Sequence, residues 1–392
     1  MNTLAPSLIG LFFLIALAIA EAADEQIEHS IPPGYQPEEA RDEQGIWMET
    51  LEYEAVLQRS PLLVRDDDLN DYLREVVCRV AGDYCPDFRV YLVRNPGFNA
   101  SMTATGMMEI WTGLLVRVTT TDELAAVIGH EIAHYTRLHT LERFRSLKNK
   151  MTMGSIFDLA VILSTGQSSS IGQLVGTLAA LAYTRNQESE ADLLGAQLMA
   201  DAGMDPHAAY HVWELVVQEE EAAKVKREEP GFFASTHPHS DTRAEELKEW
   251  VTERYGPADP QARDSDRHAA VLNNHYLFLM EDQLDTNRFG RTEELLQRHA
   301  SMGIDKSLVH YFYGEMYRQR NAEGDRELAM DSYLRSIEHG IPPPEAYKNL
   351  GYLYLKADDI IQARHNFKQY LESLPDASDR AMIEFYLEED RL

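Results

Sequence analysis

The sequence predicts a mainly α-helical protein with one small β-sheet, followed by an all-α repeat segment. Three observations carry this reading. Most of the first 255 residues read as helices. Only "FRVYLVRN" (88–95) and "GMMEIWTGLLVRV" (106–118) have strand character, the second running on into a helix. Beyond residue 267 the chain is helical and self-similar at a spacing of about 34 residues. The chain has 392 residues, 44% of them hydrophobic, which suffices for two ordinary domains. Lys and Arg number 36 against 65 Asp and Glu, a formal net charge of −29. That sign excludes a protein that tracks a nucleic-acid backbone and disfavours anionic lipid headgroups.

Taken in order, residues 1–20 hold an apolar run, Leu8 to Ala20, followed by small residues at A-x-A spacing. This reads as a secretory signal cleaved near Ala20–Ala23, although no Lys or Arg precedes the run. The alternative is an uncleaved anchor, but the run is short for a span of roughly 20 residues. Residues 21–45, with Pro32, Pro33 and Pro37, read as an extended lead-in. Helices are expected over 46–60 and 66–82. Cys78 and Cys85, the only cysteines, are expected to form a local disulfide in an exported chain. Thr120 and Glu123 are a capping-box signature that opens the next helix. Residues 151–183 are apolar but interrupted by "TGQSSS", and read as a helical hairpin or flap with at most peripheral membrane contact. Further helices are expected through 184–203, with Gly203 as the stop, then over 206–227 and 242–255.

The Pro- and Asp-rich stretch 256–267 reads as a linker between a domain over 46–255 and a second over 268–392. In the latter, Tyr347, Leu350, Gly351, Tyr354, Ala363, Phe367 and Pro375 stand at the spacing of one tetratricopeptide unit. Tyr313, Gly314, Tyr317, Ala329 and Tyr333 repeat the pattern, and 268–300 resembles a degenerate first pair. Stacked helix pairs usually present a concave surface to peptides or proteins.

The chemistry concentrates in "VIGHEIAHYTRLHT". His130 and His134 stand i,i+4 on one helix face, so both imidazoles can reach one ion, and Glu131 is placed beside them to hold a water without ligating. H-E-x-x-H on a helix is the metalloprotease pattern. A longer pattern ending in a third histidine fails, because Arg137 and Thr140 stand where Gly and His would be required. His139 is then a surface group or a partner of a ligand. In "NQESEADLLG", Glu188 and Asp192 are again i,i+4. Glu188 can close a His2Glu site, and Asp192 can accept a hydrogen bond from a ligand imidazole. Gly195 permits a close helix–helix approach. Glu190 points roughly 160° away from Glu188, at about 100° per residue.

Together, "HEIAH", "ESEAD" and "STHPHSDTR" resemble the HtpX-like and prenyl-protease-like zinc metallopeptidases (gluzincins), and among these the periplasmic β-barrel assembly-enhancing proteases. The resemblance covers nearly the whole chain after the signal. It implies a zincin-like α+β metalloprotease domain with one Zn2+ per chain held by His130, His134 and Glu188, and Glu131 as general base. It also implies that His237 and Arg243 face the site. "FNASMTATGMMEIWTGLL" is similar to the family's asparagine–alanine segment and edge strand, which puts Met107, Met108, Glu109, Ile110 and Trp111 along the substrate cleft. Ser101 to Thr105 is more polar than the family pattern.

The expected activity is zinc-dependent endopeptidase action in the bacterial periplasm, on unfolded or misassembled outer-membrane proteins. The repeats would select the client or dock on an outer-membrane assembly machine. No nucleic-acid partner is expected. Alternatives stay open at several points. Arg243 stabilises an oxyanion or forms a structural ion pair. His237 latches the metal, assists at the oxyanion or only packs. The strand 107–111 pairs with substrate or has both edges occupied. The whole chain could instead be a repeat-based scaffold or holdase with a structural metal domain.

Overall fold

The computed structural model describes residues 31–37, 42–150, 183–226, 237, 241–259 and 266–388. The expected signal, nearly all of the hairpin at 151–183 and the centre of the linker lie outside them. The helices of the first half are α1 (Asp42–Leu57), α2 (Asp67–Ala81), the short α3 (Thr112–Leu115), α4 (Thr121–Thr136), α5 (His139–Lys150), α6 (Arg185–Asp201), α7 (Ala208–Lys226) and α8 (Asp241–Tyr255). The lead-in is therefore shorter than expected, since α1 already begins at Asp42. Among the described residues no helix is long and apolar enough to cross a membrane.

Local chemistry explains where these helices start and which faces they bury. Asp66 caps α2 by accepting from Leu69 N–H. Leu69, Leu73, Val76, Val77 and Val80 then recur at helical spacing on its buried face. Cys78 and Cys85 form the expected disulfide, tying the end of α2 to the turn before the sheet. Closing so short a loop is worth about 2.5 kcal/mol in the chain-entropy model. Thr120 caps α4 through Glu123 N–H, while the Glu123 carboxylate reaches back to Thr119. Nearly every residue of α4 is buried, so this helix runs through the middle of the core. Thr184 and Gln187 form a reciprocal capping box on α6. Gly203, at φ +66°, ends the turn after it, as expected.

The sheet corrects one expectation. It has three strands, β1 (Arg89–Val93), β2 (Ala100–Met102) and β3 (Met107–Trp111), in the order β1-β3-β2. β3 pairs in parallel with β1 and antiparallel with β2. The residues expected to offer an edge to substrate, Met107, Met108, Glu109, Ile110 and Trp111, therefore form the central strand, with both edges occupied. Their side chains alternate between the two faces. Met108 and Ile110 enter the main core, whereas Met107 and Trp111 pack with Leu57 and Tyr53 of α1. The edge strands are β1 and β2, and residues 62–64 bridge to the outer side of β1.

The C-terminal helices are α9 (Asp266–Asp285), α10 (Phe289–His299), α11 (Lys306–Arg320), α12 (Asp325–His339), α13 (Pro344–Lys356), α14 (Ile360–Ser373) and α15 (Arg380–Leu387). α11 packs on α12, and α13 on α14. Each pair closes on a glycine. A Cβ at Gly314 would stand 2.6 Å from the Tyr333 ring, and one at Gly351 2.7 Å from the Phe367 ring. Glu315, buried between the pairs, accepts from Tyr333 Oη and from Asn349 Nδ2 of the next pair.

α9 and α10 are built into the same core as α2 and α4. Three successive carbonyls between β3 and α4 are held by them. His268 Nε2 donates to Leu115 O at 2.9 Å, His299 Nε2 to Val116 O at 2.6 Å, and Arg298 Nη1 to Arg117 O at 3.0 Å. Each histidine accepts at Nδ1 from a tyrosine hydroxyl, Tyr72 for His268 and Tyr276 for His299. Arg117 meanwhile pairs with buried Glu219 of α7, which also meets Arg291 of α10. Neither buried charge is left alone.

These two histidines make folding sensitive to acid. Burial pushes both down to about 4, against about 6.5 in an unfolded chain. The unfolded state then binds more protons across that window, so stability falls as pH drops from about 6.5 to about 4, by up to about 3 kcal/mol per histidine. Urea unfolding of the chelator-treated protein at several pH values should show this loss. The loss should be smaller in a variant carrying His268→Gln and His299→Gln; an equal loss in both proteins would contradict the account.

Candidate metal centre

α4 and α6 cross where both carry glycine. A Cβ on Gly129 would meet Gly195 O at 3.0 Å, and one on Gly195 would meet His130 N at 2.8 Å. The expected close approach at Gly195 is thus a backbone-to-backbone contact. It brings the i,i+4 histidines of α4 against the i,i+4 carboxylates of α6.

His130, His134, Glu188 and His237 each offer a ligand atom, all within 4.8 Å of one another, and all four are buried. His134 Nε2 lies 3.0 Å from His130 Nε2 and 3.4 Å from Glu188 Oε1. His237 Nδ1 lies 3.1 Å from Glu188 Oε1 and 3.3 Å from His130 Nε2. His130 Nδ1 donates to Asp192 Oδ1 at 2.9 Å, as expected of Asp192. With a proton held there, His130 turns Nε2 towards the cluster. Burial alone would lower its pKa, but the Asp192 carboxylate holds it raised. Burial pushes His134 well below the usual histidine range, so His134 is neutral. Two imidazoles and a carboxylate converging in this way have the chemistry of a metal-binding donor set.

Arg243 is buried and fully engaged by carboxylates. Its Nε donates to Asp192 Oδ2 at 2.6 Å and its Nη1 to Glu188 Oε2 at 2.7 Å, and its guanidinium lies over Trp213. These contacts fit the structural role weighed for Arg243, in which it orients the two acids of α6. Burial alone would raise Glu188, but the polar contacts with His134 and His237 hold it well below the usual carboxylate range.

Glu131 points to the same space. Burial raises its carboxyl above the usual range, and the Met102 N–H of β2 bonds to it. Among the described residues its Oε1 has no hydrogen-bond partner, and His237 Nε2 lies 3.7 Å away. An acid that is buried, raised and half-unsatisfied is a candidate for proton transfer.

Some of the surroundings escape sequence reasoning. Tyr183 stacks on His134 with centroids 3.8 Å apart, and the Arg143 guanidinium covers its other face. Its only signal was its position just before the "TRNQESEAD" helix. β2, three residues long, is too short to announce itself by alternation. His139 is buried against His134 and is not a surface group.

Residues 64–251 match the model of peptidase family M48. Over that stretch, a little under half of its length, the chain is similar to that family. It is 32% identical over 166 residues to the mitochondrial metalloendopeptidase OMA1 of Schizosaccharomyces pombe, covering 42% of this chain and 47% of that protein. It is 29% identical over 210 residues to the mitochondrial metalloendopeptidase OMA1 of Bos taurus, covering 51% and 39%. It is 25% identical over 295 residues to the β-barrel assembly-enhancing protease of Yersinia pestis, covering 70% and 57%. The chain thus spans about half the length of the curated relatives it matches. The M48 match takes in α4, α6 and Arg243, so the cluster lies inside it.

The glycine contact makes a sharp demand. Gly195→Ala places a methyl group against the His130 backbone and must push α4 from α6. Such overpacking typically costs about 1–3 kcal/mol. Thermal melting should register that loss, and metal titration should show weaker binding, because the donors sit on opposite sides of the contact. Unaltered metal affinity would show that the site tolerates the separation.

Proposed function

We propose that the chain is a zinc-dependent endopeptidase with a zincin-like catalytic domain. The observation that carries this is the buried His130–His134–Glu188 set with the half-unsatisfied Glu131 carboxyl at its side. In this reading His130, His134 and Glu188 hold the zinc. When bound, it would polarise a scissile carbonyl and make water acidic enough to react near neutral pH. Glu131 Oε1 takes the water proton and returns it to the leaving amine, and its raised pKa suits it to both steps.

Substrate would be aligned on β2. The antiparallel register faces Ser101 towards Glu109, which directs the backbone groups of Ala100 and Met102 to the other edge, where the Met102 N–H already meets Glu131. Among the described residues no strand pairs there. An extended peptide added to that edge runs past Glu131, held by main-chain hydrogen bonds with little demand on sequence.

Export to the periplasm is supported by the Cys78–Cys85 disulfide, which belongs to an oxidising compartment. It is also supported by likeness to a protein named for β-barrel assembly. The clients would be unfolded or misassembled outer-membrane proteins. The glycine-closed pairs α11–α12 and α13–α14 are read as tetratricopeptide units that receive them or dock on an assembly machine. The scaffold reading has no observation in its favour over this one.

Glu131→Gln should retain zinc, measured by atomic spectroscopy, while hydrolysis of unfolded casein falls below detection. Loss of zinc in this variant would overturn the division of roles. His237 Nδ1 sits among the donors, where it would fill the remaining coordination position. On that reading His237→Ala raises basal cleavage, including self-cleavage. A fall of roughly 10²–10³ in turnover would instead assign it to transition-state stabilisation.

A further inference from the structure

α6 carries acids at 188, 190 and 192, and only the first and last face the metal cluster. Glu190, on the far side, has a partner nonetheless. Its Oε2 lies 3.1 Å from His139 Nε2, and its other oxygen pairs with Arg137. His139 is 1% exposed, and its Nδ1 lies 2.8 Å from His134 Nδ1. The chain reaches this arrangement by a sharp reversal. α4 ends at Thr136, Leu138 takes φ +57°, and α5 starts at His139, turned back beneath its own predecessor.

Two facing ring nitrogens need one proton between them, and the ends of the chain of contacts decide where it sits. A carboxylate only accepts, so His139 carries its proton on Nε2 and donates to Glu190. Neutral His139 then has a lone pair on Nδ1 and accepts from His134 Nδ1–H. His134 is left with a bare Nε2, the atom that lies 3.4 Å from Glu188. His130 is oriented directly, through the bond from its Nδ1 to Asp192. Both metal-facing imidazoles are thus backed by carboxylates of one helix, one directly and one through an intervening imidazole.

We propose that His139 and Glu190 are positioning residues. They form a relay that fixes the tautomer and ring orientation of His134, so that its Nε2 lone pair is presented to the metal. The inference rests on the metallopeptidase reading above. Tyr183, stacked on the His134 ring at 14°, constrains its plane, and the relay constrains its rotation within that plane.

The test uses the full chain and zinc alone. Zinc affinity is measured by competition with a chromophoric chelator for the wild type, His139→Ala, His139→Gln and Glu190→Gln. Ligand-field spectra of the cobalt-loaded proteins and melting of the metal-free proteins are recorded alongside. Partners of ligand histidines typically contribute roughly 10–100-fold in affinity. His139→Ala should lose that much and shift the cobalt spectrum. His139→Gln, whose amide oxygen accepts from His134 Nδ1, should recover most of both. Glu190→Gln should weaken zinc binding in the same direction but less. If His139→Ala fails to fold, the other two variants decide. Wild-type affinity in His139→Ala overturns the relay, as does equal loss in the Ala and Gln variants that tracks their melting temperatures. A wild type that binds no zinc overturns the metallopeptidase reading itself, a separate result.

Discussion

Two glycines, Gly129 and Gly195, let α4 and α6 touch backbone to backbone, and the whole site depends on that contact. Each glycine inside a helix costs about 1 kcal/mol relative to alanine. What it provides is a separation short enough for side chains of one helix to reach ligands on the other. The two helices run antiparallel, so each turn of α4 meets a turn of α6. His134 faces Glu188, and His130 faces Glu188 and Asp192 before the glycines meet. A wider crossing would leave the carboxylates short of the imidazoles by about the diameter of a methyl group.

The electrostatics follow from the same packing. Glu188 and Asp192 lie against one guanidinium, Arg243, with Glu131 and the imidazoles of the cluster close by. Buried acids in such number are costly unless countered. A divalent cation held by His130, His134 and Glu188 would supply the missing positive charge, and Arg243 keeps the two acids of α6 aimed while doing part of that work. The net charge of −29 has little bearing on this balance, because it is spread over the whole chain while the side chains of the cluster are buried.

The sequence made the local part of this site legible. His130, Glu131, His134, Glu188 and Asp192 were readable because an α-helix converts i,i+4 spacing directly into shared direction. Gly195 was readable because a glycine on that face has few other uses. The order of the strands was not, because a central and an edge strand have the same alternation until their neighbours are known. Arg243 was legible as facing the site, but not by which role, since a guanidinium looks the same whether it faces a substrate or two buried acids. His139 was one residue away from a familiar ligand position, and nothing local says that Leu138 would turn it back onto His134. The break in composition near 256–267 was visible, but not that His268 and His299 would complete hydrogen bonds to carbonyls at 115 and 116.

That last arrangement bears on the order in which a newly made chain can mature. The carbonyls of Leu115, Val116 and Arg117 anchor the approach to α4, and their partners come 153, 183 and 181 residues later. A ribosome or a translocation channel delivers residues in sequence, so α4 and α6 are both complete well before their anchor arrives. Until then the connection from the sheet to the H-E-x-x-H helix has three hydrogen-bond acceptors that only water can satisfy. The metal cluster therefore acquires its final rigidity late in the making of the chain. If the centre is hydrolytic, as proposed, three hydrogen bonds delay its arming until the C-terminal helices have been made.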